Sequence, residues 1–310
     1  MQIFQGTNID FIGKRNVALI LSLALIAIGI VSILFHKGLN YGIDFAGGTL
    51  IQVKFVQPVT AEDVRKAVED SRLGTYTIQQ IGEAGSNEFI IRLPRPVEKE
   101  VEQTPSVIVA RDLEEAFGKD NFDIRRAESV GPTMGEELKR SAMGSIAGAL
   151  VMILLYITFR FEFRFALGAI IALIHDVLIT VGAFSITNRE FNLPVIAALL
   201  TIVGYSLNDT IVIFDRIREN QRLLHRNAFI DVINRSINQT LSRTMLTSLT
   251  TLIVVVCLFI FGGEVINDFA FALLIGIIVG TYSSIFVASP ILVWWSNLTG
   301  LFQSGDRKRG

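Results

Sequence analysis

The chain has 310 residues, 51% of them hydrophobic and only 18% charged, with a mean hydropathy of +0.50. Soluble chains average ~25% charge, and the apolar residues here are gathered in blocks near the ~20 residues that cross a ~30 Å hydrocarbon core. A soluble enzyme, a fibre and a disordered chain are excluded, and a net charge of −1 supplies no dense basic face for nucleic acid.

The blocks predict a polytopic α-helical membrane protein with six transmembrane helices. The first run, Val17–Phe35, follows Lys14-Arg15 and leaves through His36-Lys37. A signal peptide has a shorter core and an Ala-x-Ala-like exit, so this reads as an uncleaved anchor. Later spans are expected over Ser141–Phe159, Phe165–Thr187, Leu193–Phe214, Arg243–Phe261 and Phe269–Trp295. Three parts follow: residues 1–37, a cytoplasmic N-terminus with the first helix; 38–139, a domain outside the membrane, periplasmic in a Gram-negative cell; and 140–310, a five-helix bundle with a cytoplasmic C-terminus.

Short loops set this orientation, because Lys and Arg accumulate on the cytoplasmic side. One set of ends carries Lys14, Arg15, Arg160, Arg164, Arg216, Arg218, Arg222, Arg226, Arg235 and Arg307-Lys308-Arg309, whereas the opposite short loops hold Arg189 alone.

The outer domain reads as a small α+β unit of order β-α-β-β-α-β, the split βαβ or ferredoxin-like arrangement. In Thr49–Phe55 the alternation places Ile51, Val53 and Phe55 on one face. Thr60 and Asp63 open a helix that carries Val64, Ala67 and Val68. Strands Tyr76–Ile81 and Phe89–Leu93 flank the turn signal Gly85-Ser86-Asn87. Thr104-Pro105 begins a second helix with Val109, Leu113 and Phe117 in line, and Phe122–Arg126 is the last strand. No convergent polar cluster marks it as catalytic, so a docking module is expected there.

Ionisable groups inside spans cost at least ~2.5–3.5 kcal/mol each and call for a partner or a purpose. The third span has His175-Asp176, the fourth Asn208-Asp209, and the fifth opens with Arg243. Asp209 lies nine residues before Arg218 and Arg243 nine after Asn234, ~13 Å into each span at 1.5 Å per residue, so the two are expected level and facing. Separating such a pair in low dielectric invites a proton onto the carboxylate. Arg does not deprotonate, which makes Asp209 the proton carrier and Arg243 the gate; a structural ion pair locking two helices is the alternative. His175 and Asp176 are either a second relay or groups bonded to a neighbouring helix. Thr244, Thr247, Ser248, Thr250 and Thr251 make the fifth span rich in hydroxyls, for a relay or for helix contacts.

Packing signals are weaker. Gly144/Gly148 and Gly276/Gly280 are GxxxG pairs that suggest helix contacts. The turn Phe159–Phe165 alternates Phe with charge and reads as an interfacial anchor. Cys257, the single cysteine, is expected to be a small buried hydrophobe.

At Tyr41-Gly42-Ile43-Asp44-Phe45-Ala46-Gly47-Gly48-Thr49 the chain resembles the segment that follows the first span in the SecF family of protein-export subunits. Ser129-Val130-Gly131-Pro132 with Gly135-Glu136-Glu137-Leu138, the stretch Val203–Asn220 around Asn208-Asp209, and Asn238–Thr244 are similar to that family's second, fourth and fifth span entries. The likeness covers nearly the whole chain. It implies membership of the resistance-nodulation-division superfamily and a SecD-like partner beside the SecYEG channel, in the inner membrane. It also implies translocating preprotein as substrate, lipid as the surround, and a translocation subunit that is not an enzyme. No cofactor is implied beyond protons as the coupling ion. On the family motifs Asp209 and Arg243, with Asn208 beside them, fall on proton-pathway positions, leaving His175, Asp176 and Thr247 as a candidate second relay. Two other readings are weighed. An intramembrane aspartyl protease would need Asp176 and Asp209 close enough to share a proton, and Ser206-Leu207-Asn208 is not its Gly-x-Gly lead-in to the aspartate. A half-size exporter of the same superfamily would carry a larger outer domain.

Overall fold

The computed structural model describes residues 7–69, 76–81, 86–93, 104–224 and 227–299. Gly85 of the expected turn, Arg226 and Arg307–Arg309 lie outside them. Contacts divide the chain into two units: 1–40, 145–190 and 194–310 in one, 41–144 and 191–193 in the other.

The smaller unit is built on an antiparallel four-stranded sheet of order β2-β3-β1-β4, with β1 Gly48–Phe55, β2 Thr77–Ile81, β3 Glu88–Leu93 and β4 Phe122–Val130. Helices α3 (Ala61–Val68) and α4 (Pro105–Phe117) connect β1 to β2 and β3 to β4. The expected inward residues form its core: Ile51, Val53 and Phe55 meet Phe89, Ile91, Leu93, Val64, Val68, Val109 and Leu113. Thr60 and Asp63 form the reciprocal cap of α3, side chain to backbone in both directions. β4 runs four residues past the expected Arg126. There Ala127–Val130 pair with Gly48–Ile51 beyond a register shift at Gln52/Val53, and the Thr49 and Ser129 hydroxyls meet at 3.0 Å.

Ahead of β1, the single-turn helix α2 (Ile43–Ala46) ends at Gly47-Gly48, whose φ values are +72° and +130°. Only glycine adopts that region without strain. The Asp44 carboxylate accepts from the amide of Leu193 at 2.8 Å, Gly42 N–H donates to Phe191 O at 3.0 Å, and the rings of Tyr41, Phe45 and Phe191 cluster.

The larger unit holds the apolar helices: α1 Arg15–Phe35, α6 Phe163–Ile186, α7 Leu193–Leu223 and α8 Phe229–Phe261, with α5 Pro132–Arg160 entering from the other unit. A final run joins α9 (Glu264–Ser283), a π-helical turn over Ser284–Ala288 and α10 (Ser289–Thr299). Six helices among the described residues are long and apolar enough to cross a membrane, so the chain is a multi-pass membrane protein.

Four of these differ from expectation, α5 by beginning at Pro132 rather than at Ser141. α7 and α8 extend well past the apolar runs, because polar turns face one another there: Asn220 donates to the Ser236 hydroxyl at 2.9 Å and to Gln239 at 2.7 Å. The sixth span is interrupted by its π turn, which hydropathy does not register. In the Phe159–Phe165 turn only part faces outward, since Phe161 and Phe165 are buried and Arg164 lies under 8% exposed over the Phe165 and Phe229 rings. Alternation with charge disguised two core residues there.

The glycine pairs also divide. A Cβ added at Gly276 would strike Ile202, and one at Gly280 would lie 2.9 Å from Ser206 Cβ, so α9 packs on α7 through these positions. Gly144 and Gly148 have no heavy atom within 4 Å of such a Cβ. α1 and α6 meet at Gly29 and Gly182. Cys257, expected to be buried, is exposed on α8, because the apolar run holding it turns outward and periodicity cannot separate a lipid face from a core.

Candidate functional site: a polar axis in the helix bundle

Ridges packed on small residues bring α1, α6, α7, α8 and α9 close enough for short polar side chains to meet among apolar ones. Asp209 is 2% exposed and Asp176 is fully buried. Lone carboxylates in such surroundings are costly, and hydroxyl groups meet both, one at Asp209 and two at Asp176.

Asp209 on α7 accepts from Ser248 Oγ of α8 at 3.2 Å, and the Ser248 hydroxyl oxygen in turn accepts from Thr281 of α9 at 2.8 Å. Next to Asp209 in sequence, Thr210 meets Ser284 at 2.9 Å and joins α7 to the π turn. Asp176 on α6 accepts from Ser206 of α7 at 2.6 Å and from Ser283 of α9 at 2.9 Å. His175 is 5% exposed; its Nδ1 lies 2.9 Å from the other Asp176 oxygen and its Nε2 3.0 Å from Ser22 Oγ of α1. Two buried clusters therefore share α7 and α9. No hydrogen bond joins the two carboxylates, which engage different partners.

Arg243 is not where the depth count put it. It forms no ion pair with Asp209 within 4.0 Å and acts on that carboxylate through space. Its side chain is exposed, on the wall of an open cavity of about 1490 Å³ that Asp10, Arg216, Asn234, Gln239 and Thr247 also line. The reason is register. Asn220 with Ser236 and Gln239, and Tyr205 with Thr251 at 3.2 Å, set α7 and α8 so that Asp209 is level with Ser248. That is five residues, ~7.5 Å, beyond Arg243. α8 is 33 residues long, some 50 Å, and ~20 residues counted back from Phe261 reach about position 242. Arg243 thus stands at the edge of the apolar layer and Asp209 inside it.

Asn208, adjacent in sequence to Asp209, faces outward and is exposed, since neighbours on a helix point ~100° apart. Thr247 is exposed and bonds the backbone carbonyls of Arg243 and Thr244; it lies on the cavity wall, apart from His175 and Asp176. Thr250 and Thr251 likewise bond their own helix, and the buried Thr244 hydroxyl has no partner among the described residues. Sequence reading named the acids and Arg243 but missed Ser206, Ser22, Tyr282 and Ser283. Single hydroxyls in apolar helices give no periodic signal, and only packing shows that they converge.

Among the described residues no group of three or more His, Cys, Asp or Glu side chains is placed to hold a metal ion.

The family described as protein export membrane protein SecD/SecF, C-terminal, matches residues 109–298, and the SecD/SecF GG motif matches residues 32–59. The SecF protein translocase subunit of Magnetococcus marinus is 50% identical over 311 residues, covering 100% of this chain and 97% of its own. That of Desulfurispirillum indicum is 48% identical, covering 93% and 91%. The crystal structure of SecDF, a translocon-associated membrane protein from Thermus thermophilus, superposes with a TM-score of 0.83 at 42% identity, covering 96% of this chain. This chain spans 40% of the length of that one. Asp44, Gly47 and Gly48, whose geometry is described above, fall within the GG motif, and both buried acids fall within the C-terminal match. The chain therefore belongs to the SecF family of protein translocase subunits, among the protein export membrane proteins SecD/SecF.

Proposed function

We propose that the chain drives late preprotein translocation by carrying protons through Asp209, working with a SecD-like subunit beside the SecYEG channel in the inner membrane, both termini cytoplasmic. It is not an enzyme in this reading, and protons are its only coupling species. The observation that carries the reading is Asp209 itself: a carboxylate 2% exposed inside an apolar bundle, held by Ser248 of the next helix rather than by a cation. An acid neutralised by a fixed Arg would stay ionised; one held by a single hydroxyl is free to take and release H⁺. The cavity bearing Arg243 opens one to two turns from it, on the side rich in basic residues, and would be the cytoplasmic mouth of the path.

Binding a proton removes the charge that Ser248 and Thr281 satisfy and changes what holds α7, α8 and α9 together. Within the smaller unit, the Asp44 carboxylate of the GG motif accepts from the Leu193 amide. The outer domain is the module through which helix movement would reach preprotein. The protease reading is disfavoured because Asp176 and Asp209 have separate partners.

The test is reconstitution with the SecD-like partner and SecYEG in sealed vesicles, following proton flux and preprotein export under an imposed pH gradient. Asp209→Asn at wild-type abundance should abolish the gradient-dependent part of both. Wild-type export in that variant would end the proposal.

A further inference from the structure

We propose that His175 and Asp176 together hold one proton as a net-neutral pair, and that its loss reverses a hydroxyl chain tying α1 to α9. This rests on the proton-driven reading above only for what the stored proton is used for; the site stands on its own geometry.

The hydrogens can be counted. Tyr282 Oη donates its one hydrogen to the Ala18 carbonyl at 2.7 Å. The 3.2 Å contact between Tyr282 Oη and Ser22 Oγ must then use the hydrogen of Ser22, because each hydroxyl has only one. Ser22 has none left for His175, so the 3.0 Å contact at Nε2 needs a hydrogen on the ring. The 2.9 Å contact between Nδ1 and Asp176 needs another, from either the ring or the carboxyl. The contacts running from the Ala18 carbonyl through Tyr282, Ser22 and His175 to the Asp176 oxygen facing Nδ1 are all filled only when the pair carries one proton more than a neutral imidazole beside a carboxylate. Imidazolium with carboxylate and imidazole with carboxylic acid both satisfy this. Both are uncharged overall, as the burial of the two residues demands.

Remove that proton and one hydrogen is missing from the chain. The Ser22 hydroxyl must turn toward Nε2, and the contact with Tyr282 survives only if the phenol turns to donate to Ser22 and releases the Ala18 carbonyl. Tyr282 stacks on the His175 ring and stands two residues before the π turn. Such turns are places where a helix can shift register. The dyad thus reports its proton to α1 through Ser22, to α7 through Ser206 and to the sixth span through Tyr282 and Ser283. Among the described residues nothing charged faces it from the packed elements: α1 offers Ser22 and a carbonyl, α9 the Tyr282 phenol and Ser283, and α7 Ser206, with Asp209 turned to Ser248.

The chain has three histidines. The full chain carrying His36→Gln and His225→Gln, labelled with ¹⁵N-histidine and reconstituted in lipid with an unlabelled SecD-like partner, leaves His175 as the only signal. At neutral pH the expected result is both ring nitrogens protonated, or a single Nε2 proton together with a carboxylic-acid infrared band that Asp176→Asn removes. A neutral ring beside an ionised Asp176 overturns the proposal. The same spectra in Asp209→Asn should be unchanged, so failure of the Asp209 reading and failure of this one are separable. His175→Gln, which keeps hydrogen-bonding ends, should lower gradient-driven export at least tenfold at equal abundance; wild-type export would refute the coupling.

Discussion

Ser248 donates to Asp209 across 3.2 Å while accepting from Thr281 at 2.8 Å, so one hydroxyl of α8 ties the buried acid of α7 to α9. Removing it is a graded test where removing the acid is absolute. Ser248→Ala deletes a hydrogen bond to a charged group, about 1.5–3 kcal/mol, and leaves Asp209 with no donor from α8. Gradient-driven export should fall several-fold without vanishing, whereas Asp209→Asn should leave none. Export rates from the two variants at matched abundance check the order, and a Ser248→Ala rate equal to wild type would detach this hydroxyl from the path.

How far the site could be read from sequence depends on which residue is considered. Asp209, Asp176 and His175 were visible because a charge inside an apolar run has no innocent explanation. The register was not visible: counting inward placed the helix ends near Arg218 and Asn234, whereas α7 runs to Leu223 and α8 begins at Phe229. The Asn220–Ser236 and Asn220–Gln239 bonds instead carry both helices on and slide Asp209 to Ser248. In the outer domain, Ile51, Val53 and Phe55 were legible because a two-residue alternation has one reading in a half-buried strand. In the membrane helices the same logic failed for Cys257, since lipid and core are equally apolar.

Gly280 and Gly148 form a matched contrast. A Cβ at Gly280 would stand 2.9 Å from Ser206 Cβ and 3.1 Å from its Oγ, and Ser206 is held in place by its 2.6 Å bond to Asp176. Gly280→Ala should therefore overpack α9 on α7, at about 1–3 kcal/mol, and displace the Ser206 donor. Gly148→Ala meets nothing within 4 Å and should be neutral or stabilising by up to ~1 kcal/mol through helix propensity. Thermal unfolding of both variants in one detergent decides the matter.

Asp10 organises the segment that leads into α1. Its carboxylate accepts from Gly13 N–H at 2.8 Å and from the Asn234 amide at 2.8 Å, while Asn234 Oδ1 accepts from Phe11 and Ile12 N–H at 3.0 Å each. The Gly13 bond first, and the Asn234 bond second, hold the Asp10 carboxyl below its ordinary 3.8. A carboxyl lowered by folding contributes its stabilisation above the unfolded value and loses it as pH falls through the folded one. Docking of residues 9–13 should thus be constant from neutral pH down to about 5 and weaken only below 3.8. Asp10→Ala should weaken it at every pH. Hydrogen exchange at the Gly13 amide follows both; release already at pH 6 in the wild type would show that another group controls the segment.

Asp44 accepts from the amide of Leu193 at 2.8 Å, the first residue of α7, where a helix presents unpaired N–H groups and the positive end of its dipole. A carboxylate there both satisfies a donor and complements the dipole, worth about 0.5–2 kcal/mol by comparison with helix caps. Asp44→Asn keeps an acceptor and loses the charge; Asp44→Ala loses both. Stability should fall in the order wild type, Asn, Ala, and salt should narrow the gap between wild type and Asn because only that difference is electrostatic. Gly47→Ala provides an independent perturbation of the same motif, since its φ of +72° strains any residue with a Cβ, by about 1–2 kcal/mol. Unfolding of the three variants at low and high salt, with export measured alongside, separates the two effects. An Asp44→Ala protein as stable as Asp44→Asn at both salt concentrations would mean that the Leu193 amide needs no acceptor from this side chain.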